Sequence, residues 1–144
     1  FPFQIAQNKD ALLFSYAYAG AVRNVALSDP GPAPIDSWMG QSWARWEGDT
    51  LVIETTGQND QSWFDRSGNH HSDKLKVTER FTRTSEHTVD YSATMEDPDI
   101  FTRPWTIRMP LYKRVGADEQ MLIFSCVEYV EEMMYGHLRK DPVE

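Results

Sequence analysis

The chain has 144 residues, a formal net charge of −8, and 40% hydrophobic against 25% charged residues. That length suits a single domain, residues 1–144, with one core burying roughly 68–70% of the unfolded surface, and the composition is that of an ordinary globular fold. The acidic balance offers no basic face for phosphate and argues against nucleic acid as a partner, and no apolar run approaches the roughly 18 residues of a membrane span.

In chain order, residues 3–8 and 11–18 read as two short strands joined by a turn at Asn8-Lys9-Asp10. In the second, Leu12, Phe14, Tyr16 and Tyr18 share one face. Residues 21–27 form a third strand with Val22 and Arg23 on opposite sides, and SDPGPAPIDS (28–37) is a Pro/Gly loop that cannot enter a sheet interior. Gly48-Asp49 between Glu47 and Thr50 is a two-residue hairpin turn with positive φ at the glycine. It sets Trp46 opposite Leu51, Ala44 opposite Ile53 and Ser42 opposite Thr55 on one face.

The long loop 57–73 carries Trp63 and Phe64, with a helical turn predicted over residues 61–66. Loops of this length within a compact domain are usually functional or disordered, and the aromatic content argues against disorder. A second hairpin pairs 75–84 with 88–96. Then come a connection over 97–104, a strand over 105–114, a turn over 115–118, a last strand over 120–128 and a short helix over 129–139. Eight or nine strands at roughly ten-residue spacing predict a mostly β fold, an antiparallel barrel or closed sandwich with a short C-terminal helix. A barrel of eight or so strands has room for one small ligand.

Strand parity singles out Glu79. Leu75, Val77, Glu79 and Phe81 share the apolar face, while Lys74, Lys76, Thr78 and Arg80 face water. An inward carboxylate costs several kcal/mol unless it is paired or protonated. The functional reading is a proton-transfer group; the bland one is a carboxylate that caps the barrel end or pairs with Arg103 or Arg108. Registers that keep both apolar faces together set Glu79 opposite Tyr91, or opposite Ala93 with Tyr91 diagonal. Tyr91 is then a hydrogen-bond partner or oxyanion donor, and His71 joins this catalytic set only if the loop folds back over the opening.

Asn69-His70-His71-Ser72-Asp73 contains metal-ligand residue types, but adjacent histidines on an extended segment point opposite ways, so no metal is expected. His87 and His137 read as solvated. Asp60, Trp63, Asp65 and Arg66 suggest a lid with a stacking Trp, or Trp63 and Phe64 plug the barrel end. Trp38, Arg103, Trp105 and Glu128 complete the expected binding residues, with Arg103 as an anion contact. The placement of Glu128 is open because the strand that carries it is apolar on both faces. Cys126 reads as a small core residue; being the single cysteine, it forms no internal disulfide and no cysteine-based zinc site. No Ser/His/Asp order is recognisable and no glycine loop cradles phosphate, so no cofactor is expected.

From Trp38 onward the chain resembles a group of bacterial, mostly exported, uncharacterised proteins. The shared pattern is WMG…RWEGDTLVIET, then ND…W.D..G..HSD.L.V.ERF, then EDP….RPW. It departs at Gln58, where the pattern leads one to expect an aromatic residue. By analogy the resemblance implies a small lipocalin-like barrel and a secreted or periplasmic location. The start at Phe1 rather than Met fits either a removed leader or a piece of a longer product.

Three functions are therefore open. The first is a cofactor-independent acid–base enzyme (lyase, isomerase or hydrolase) acting on a small organic molecule in a barrel pocket. The second is a non-catalytic small-ligand binding protein of lipocalin-like type. The third is an accessory domain of a longer exported chain.

Overall fold

The computed structural model describes residues 2–65, 67–116, 118–122 and 128–138. Eight strands form one sheet in sequence order: β1 (Phe3–Gln7), β2 (Ala11–Tyr16), β3 (Val22–Ala26), β4 (Gln41–Glu47), β5 (Thr50–Thr56), β6 (Lys76–Arg83), β7 (Thr88–Glu96) and β8 (Trp105–Tyr112). The sheet curls into a half-barrel, and β1 and β8 are its edges. A short helix α1 (Val130–Tyr135) and a 3₁₀ turn, Gly136–Leu138, follow near the C-terminus. The mostly β fold, the strand number and the C-terminal helix agree with the sequence pattern.

Local chemistry explains the strand boundaries. The Asn8 Oδ1 accepts from the amides of Asp10 and Ala11, which closes the β1–β2 turn. Gly48 supplies φ 59° at the first position of the β4–β5 turn. The register there is the expected one, with Trp46↔Leu51, Ala44↔Ile53 and Ser42↔Thr55. Pro110 sits within β8, where its missing N–H is tolerated because β8 has a neighbour on one side only.

Several expectations need correction. β3 and β4 run parallel, with Val25↔Ser42 and Ala26↔Trp43. The intervening Pro/Gly loop is too long for a hairpin and returns the chain to the starting end of β3. Gly40 and Gly57 hold that crossover against the sheet. Both have φ 65°, and a Cβ on Gly40 would lie 2.6 Å from the Thr56 carbonyl oxygen. Residues 61–65 form bends and an isolated bridge, Trp63↔His70, instead of a helical turn. Of the expected last strand, residues 120–122 are not extended into the sheet and Glu128 lies in an exposed turn. Residues 123–127, Cys126 among them, lie outside the described residues, as does Arg66.

Two apolar clusters fill the concave face. Leu12, Phe14, Val25, Ala44, Leu51 and Ile53 form one, flanked by Tyr16 and Phe81; Leu75, Ala93 and Met95 form the other, flanked by Phe64, Tyr91 and Phe101. On the outer face, Glu54 bridges Arg45 and Lys76 while Glu47 bridges Arg45 and Arg80. Val52, between Arg45 and Arg80 in the register, is fully buried on this polar side, as expected where long arginine stems cover an aliphatic group.

Candidate functional site

Glu79 faces inward, as strand parity requires, and is 8% exposed. The β6–β7 register sets it opposite Ala93 and sets Tyr91 opposite Phe81, so Tyr91 reaches it diagonally. The Tyr91 hydroxyl donates to Glu79 Oε1 at 2.8 Å. Its counter-ion is neither Arg103 nor Arg108, both of which are exposed. Arg23 takes that place from β3 and is itself only 8% exposed.

The parity argument that located Glu79 also locates Arg23. Ala21, Arg23, Val25 and Leu27 alternate with Val22, Asn24 and Ala26, so Arg23 shares the Val25 face, and Val25 is fully buried.

Arg23 organises everything around it. Its Nε donates to Ser42 Oγ at 2.9 Å, and its Nη2 donates to Thr55 Oγ1 at 2.7 Å and to Glu79 Oε2. Ser42 and Thr55 also bond each other at 2.8 Å. The guanidinium lies over the Phe14 ring and meets the Tyr16 oxygen. Burial opposes its charge, but the Glu79 carboxylate and the Tyr16 oxygen outweigh burial and hold it firmly protonated. Burial, followed by the nearby Glu79 charge, pushes the Tyr91 hydroxyl far above the usual tyrosine range. Burial raises Tyr16 as well, against the lowering influence of Arg23. With an arginine on one oxygen and a tyrosine on the other, Glu79 is a satisfied partner in an ion pair. Of the two sequence readings, pairing with an arginine is the one the geometry fits, with Arg23 in place of Arg103 or Arg108.

His71 is in a different environment. It is 4% exposed, while its neighbour His70 is exposed, so the two rings do point opposite ways. The His71 ring packs edge-on against Phe64, with centroids 5.1 Å apart. Its Nδ1 lies 3.0 Å from the Ser72 carbonyl and its Nε2 lies 2.9 Å from Ser62 Oγ. A carbonyl oxygen only accepts, so Nδ1 carries the proton and Nε2 of the neutral ring accepts from the Ser62 hydroxyl.

Ser72 is in turn held by Asp97, which accepts its N–H at 2.7 Å and its hydroxyl at 2.8 Å. Asp97 is 2% exposed. Burial works to raise its pKa, but the donors from Ser72, Asp99 and Ile100 together bring it below the usual carboxylate range. No described hydrogen bond joins His71 to Glu79 or Tyr91, so the expected catalytic set divides into two clusters.

Phe64, which packs on His71, also lines a cleft of about 360 Å³, with Phe101 and Trp105 on the apolar side and Asp65, Asn69 and His70 on the polar side. The three aromatic rings pack on one another at 5.7–5.8 Å. Asp65 accepts from the Asn69 side chain and from the Ser67 and Asn69 amides, which lower its pKa and close the loop end. Among the expected binding residues, Trp105 and Asp65 line this cleft. Trp38 and Trp63 are 63% and 72% exposed and do not; it is Phe64 that packs against the Leu75, Ala93 and Met95 cluster. Arg103 and Glu128 are exposed and outside it.

Among the described residues no three His, Cys, Asp or Glu side chains gather as a metal site requires, and no helix is long and apolar enough to cross a membrane. No protein-family model, curated protein or solved structure matches the chain.

Proposed function

We propose that the protein is a cofactor-independent enzyme of the acid–base class. In this reading it acts on a small, partly apolar organic molecule held in the cleft of Phe64, Phe101 and Trp105. His71 is the group that moves the proton. The observation that carries the reading is the buried imidazole whose Nδ1 is committed to the Ser72 carbonyl and whose Nε2 is turned to the Ser62 hydroxyl, with the ring packed on Phe64, a wall of the cleft. General bases need this combination of correct tautomer and fixed direction. The aromatic walls suit a ligand with a flat or aliphatic body, and the polar rim suits one with a hydrogen-bonding end. The resemblance to exported bacterial proteins supports an exported location.

A second reading, a non-catalytic binding protein, draws support from the ion pair of Arg23 and Glu79. Arg23, Glu79, Tyr91, Ser42 and Thr55 each hydrogen-bond within that cluster, which is how a structural element is built.

The two readings separate in one experiment. Small neutral esters, amides and aromatic acids are titrated calorimetrically against the wild type, Trp105→Ala and Phe101→Ala, and turnover is followed in parallel. The proposal expects binding weakened at least about tenfold by either wall substitution, and turnover lowered about 10²–10⁴-fold in a folded His71→Asn variant. Binding without turnover selects the second reading. Binding indifferent to both wall substitutions overturns the cleft as the site.

A further inference from the structure

We propose that Ser62 is a nucleophile activated by His71, and that the reaction is acyl transfer from a neutral ester; this rests on the cleft as the ligand site. The sequence gives no hint of it, because Ser62, His71 and Asp97 match no familiar triad spacing. The fold nevertheless joins them in one hydrogen-bonded chain. Ser62 Oγ donates to His71 Nε2 at 2.9 Å, His71 Nδ1 donates to the Ser72 carbonyl at 3.0 Å, and Asp97 grips Ser72 through its amide and hydroxyl at 2.7 and 2.8 Å.

This is the arrangement that nucleophilic catalysis by a hydroxyl requires: the base within hydrogen-bond reach of the nucleophile, and the base itself oriented by a third group. Here a peptide carbonyl fixed by a carboxylate takes the orienting position usually held by the carboxylate itself. Asp97 therefore acts through Ser72 as a positioning residue.

The burial gradient along the chain points the same way. Asp97 and His71 are buried at 2% and 4% exposure, whereas Ser62 is half-buried, so the reactive end meets solvent and the supporting end does not. Phe64 links the two features, since one ring both packs on His71 and lines the cleft. A carboxylate at the rim, Asp65, disfavours an anionic substrate and leaves neutral esters with an apolar acyl or alcohol part.

The chemistry balances without a further reactant apart from water. Ser62 Oγ bonds to the ester carbonyl carbon while its proton passes to His71 Nε2, and the imidazolium keeps its Nδ1–H on the Ser72 carbonyl. Collapse breaks the bond to the alcohol, which leaves with the proton from Nε2. Water then attacks the acyl-serine, giving its proton to the same nitrogen, and collapse breaks the bond to Ser62 Oγ, which takes that proton back as the free acid is released.

The test is covalent labelling of the intact chain with an alkyl fluorophosphonate, read by intact mass and peptide mapping, and by the burst of nitrophenol from p-nitrophenyl acetate. One label per chain on Ser62 is expected, absent in Ser62→Ala and Ser62→Gly and slowed about 10²–10⁴-fold in His71→Ala. Added imidazole should restore part of the His71→Ala rate, which a purely structural histidine would not allow. Asp97→Asn should slow labelling, and Asp97→Glu should recover part of it. Circular dichroism and urea midpoints check that each variant is folded. No label, a label on another residue, or unchanged labelling in both Ser62 variants overturns the proposal. If cleft ligands still bind in that case, the cleft reading stands without it. If Ser62 labels while no ligand responds to Trp105→Ala or Phe101→Ala, the nucleophile stands and the cleft reading falls.

Discussion

The molecule holds two buried polar clusters, and they are built differently. Arg23, Glu79, Tyr91, Ser42 and Thr55 project from five strands onto one concave face, and the strand registers dictate their meeting. Ser62, His71, Ser72 and Asp97 come from the long loop and the β7–β8 connection, and they meet as a linear chain with a half-buried hydroxyl at its end. The first cluster is closed, with each charge answered inside the protein. The second is open at one end. Closure on strands stabilises a core, whereas an oriented chain on loops leaves a group free to react.

The comparison breaks most readily at Arg23. Arg23→Met strands a carboxylate at 8% exposure, and chemical denaturation should show a loss of about 3–5 kcal/mol. Arg23→Met with Glu79→Leu should recover most of that, because a packed apolar pair replaces the ion pair without leaving a charge behind. A double variant no more stable than Arg23→Met alone would contradict a structural role for the pair.

A smaller effect is expected at Asp97. Asp97→Asn weakens charge-assisted hydrogen bonds from Ser72, at a cost of about 2 kcal/mol. The folded-state pKa of Asp97 is lowered, so its contribution is complete above the unfolded aspartate value and is lost as the pH falls through the folded one. Urea midpoints of the wild type should therefore decline on acidification more steeply than those of Asp97→Asn.

Tyr91→Phe should cost about 1–2 kcal/mol by thermal melting, since Glu79 Oε1 loses its donor. Tyr16 and Tyr91 are both raised, so the folded state keeps their protons beyond the pH near 10 at which free tyrosine ionises. Their contribution is present below that value and declines as the pH rises above it. An ultraviolet difference titration should show Tyr16 and Tyr91 ionising at a higher pH in the folded than in the unfolded protein.

The least effect belongs to the outer face. Lys76→Met breaks the half-exposed pair with Glu54, which keeps Arg45 as a partner, and denaturation should register about 1 kcal/mol or less, shrinking further in high salt. A loss there as large as at Arg23 would erase the distinction between closed core and solvated surface.

Sequence alone determined the elements that depend on near neighbours. Strand alternation, the Gly48 turn and the inward face of Glu79 follow from a period of two and from local turn chemistry, and the β4–β5 register came out residue for residue. The same rule separates Arg23 from Val22, but that Arg23 is the inward one, and that it pairs with Glu79 across 56 residues, required the parallel join of β3 to β4, which a Pro/Gly loop does not announce. The chain from Ser62 to Asp97 was less legible still. His71 was visible as a residue type, but its partners depend on how a loop without regular structure folds over the end of the sheet. Only tertiary structure decides that, because irregular backbone has no periodicity to read and its hydrogen bonds are made wherever packing brings a donor to an acceptor.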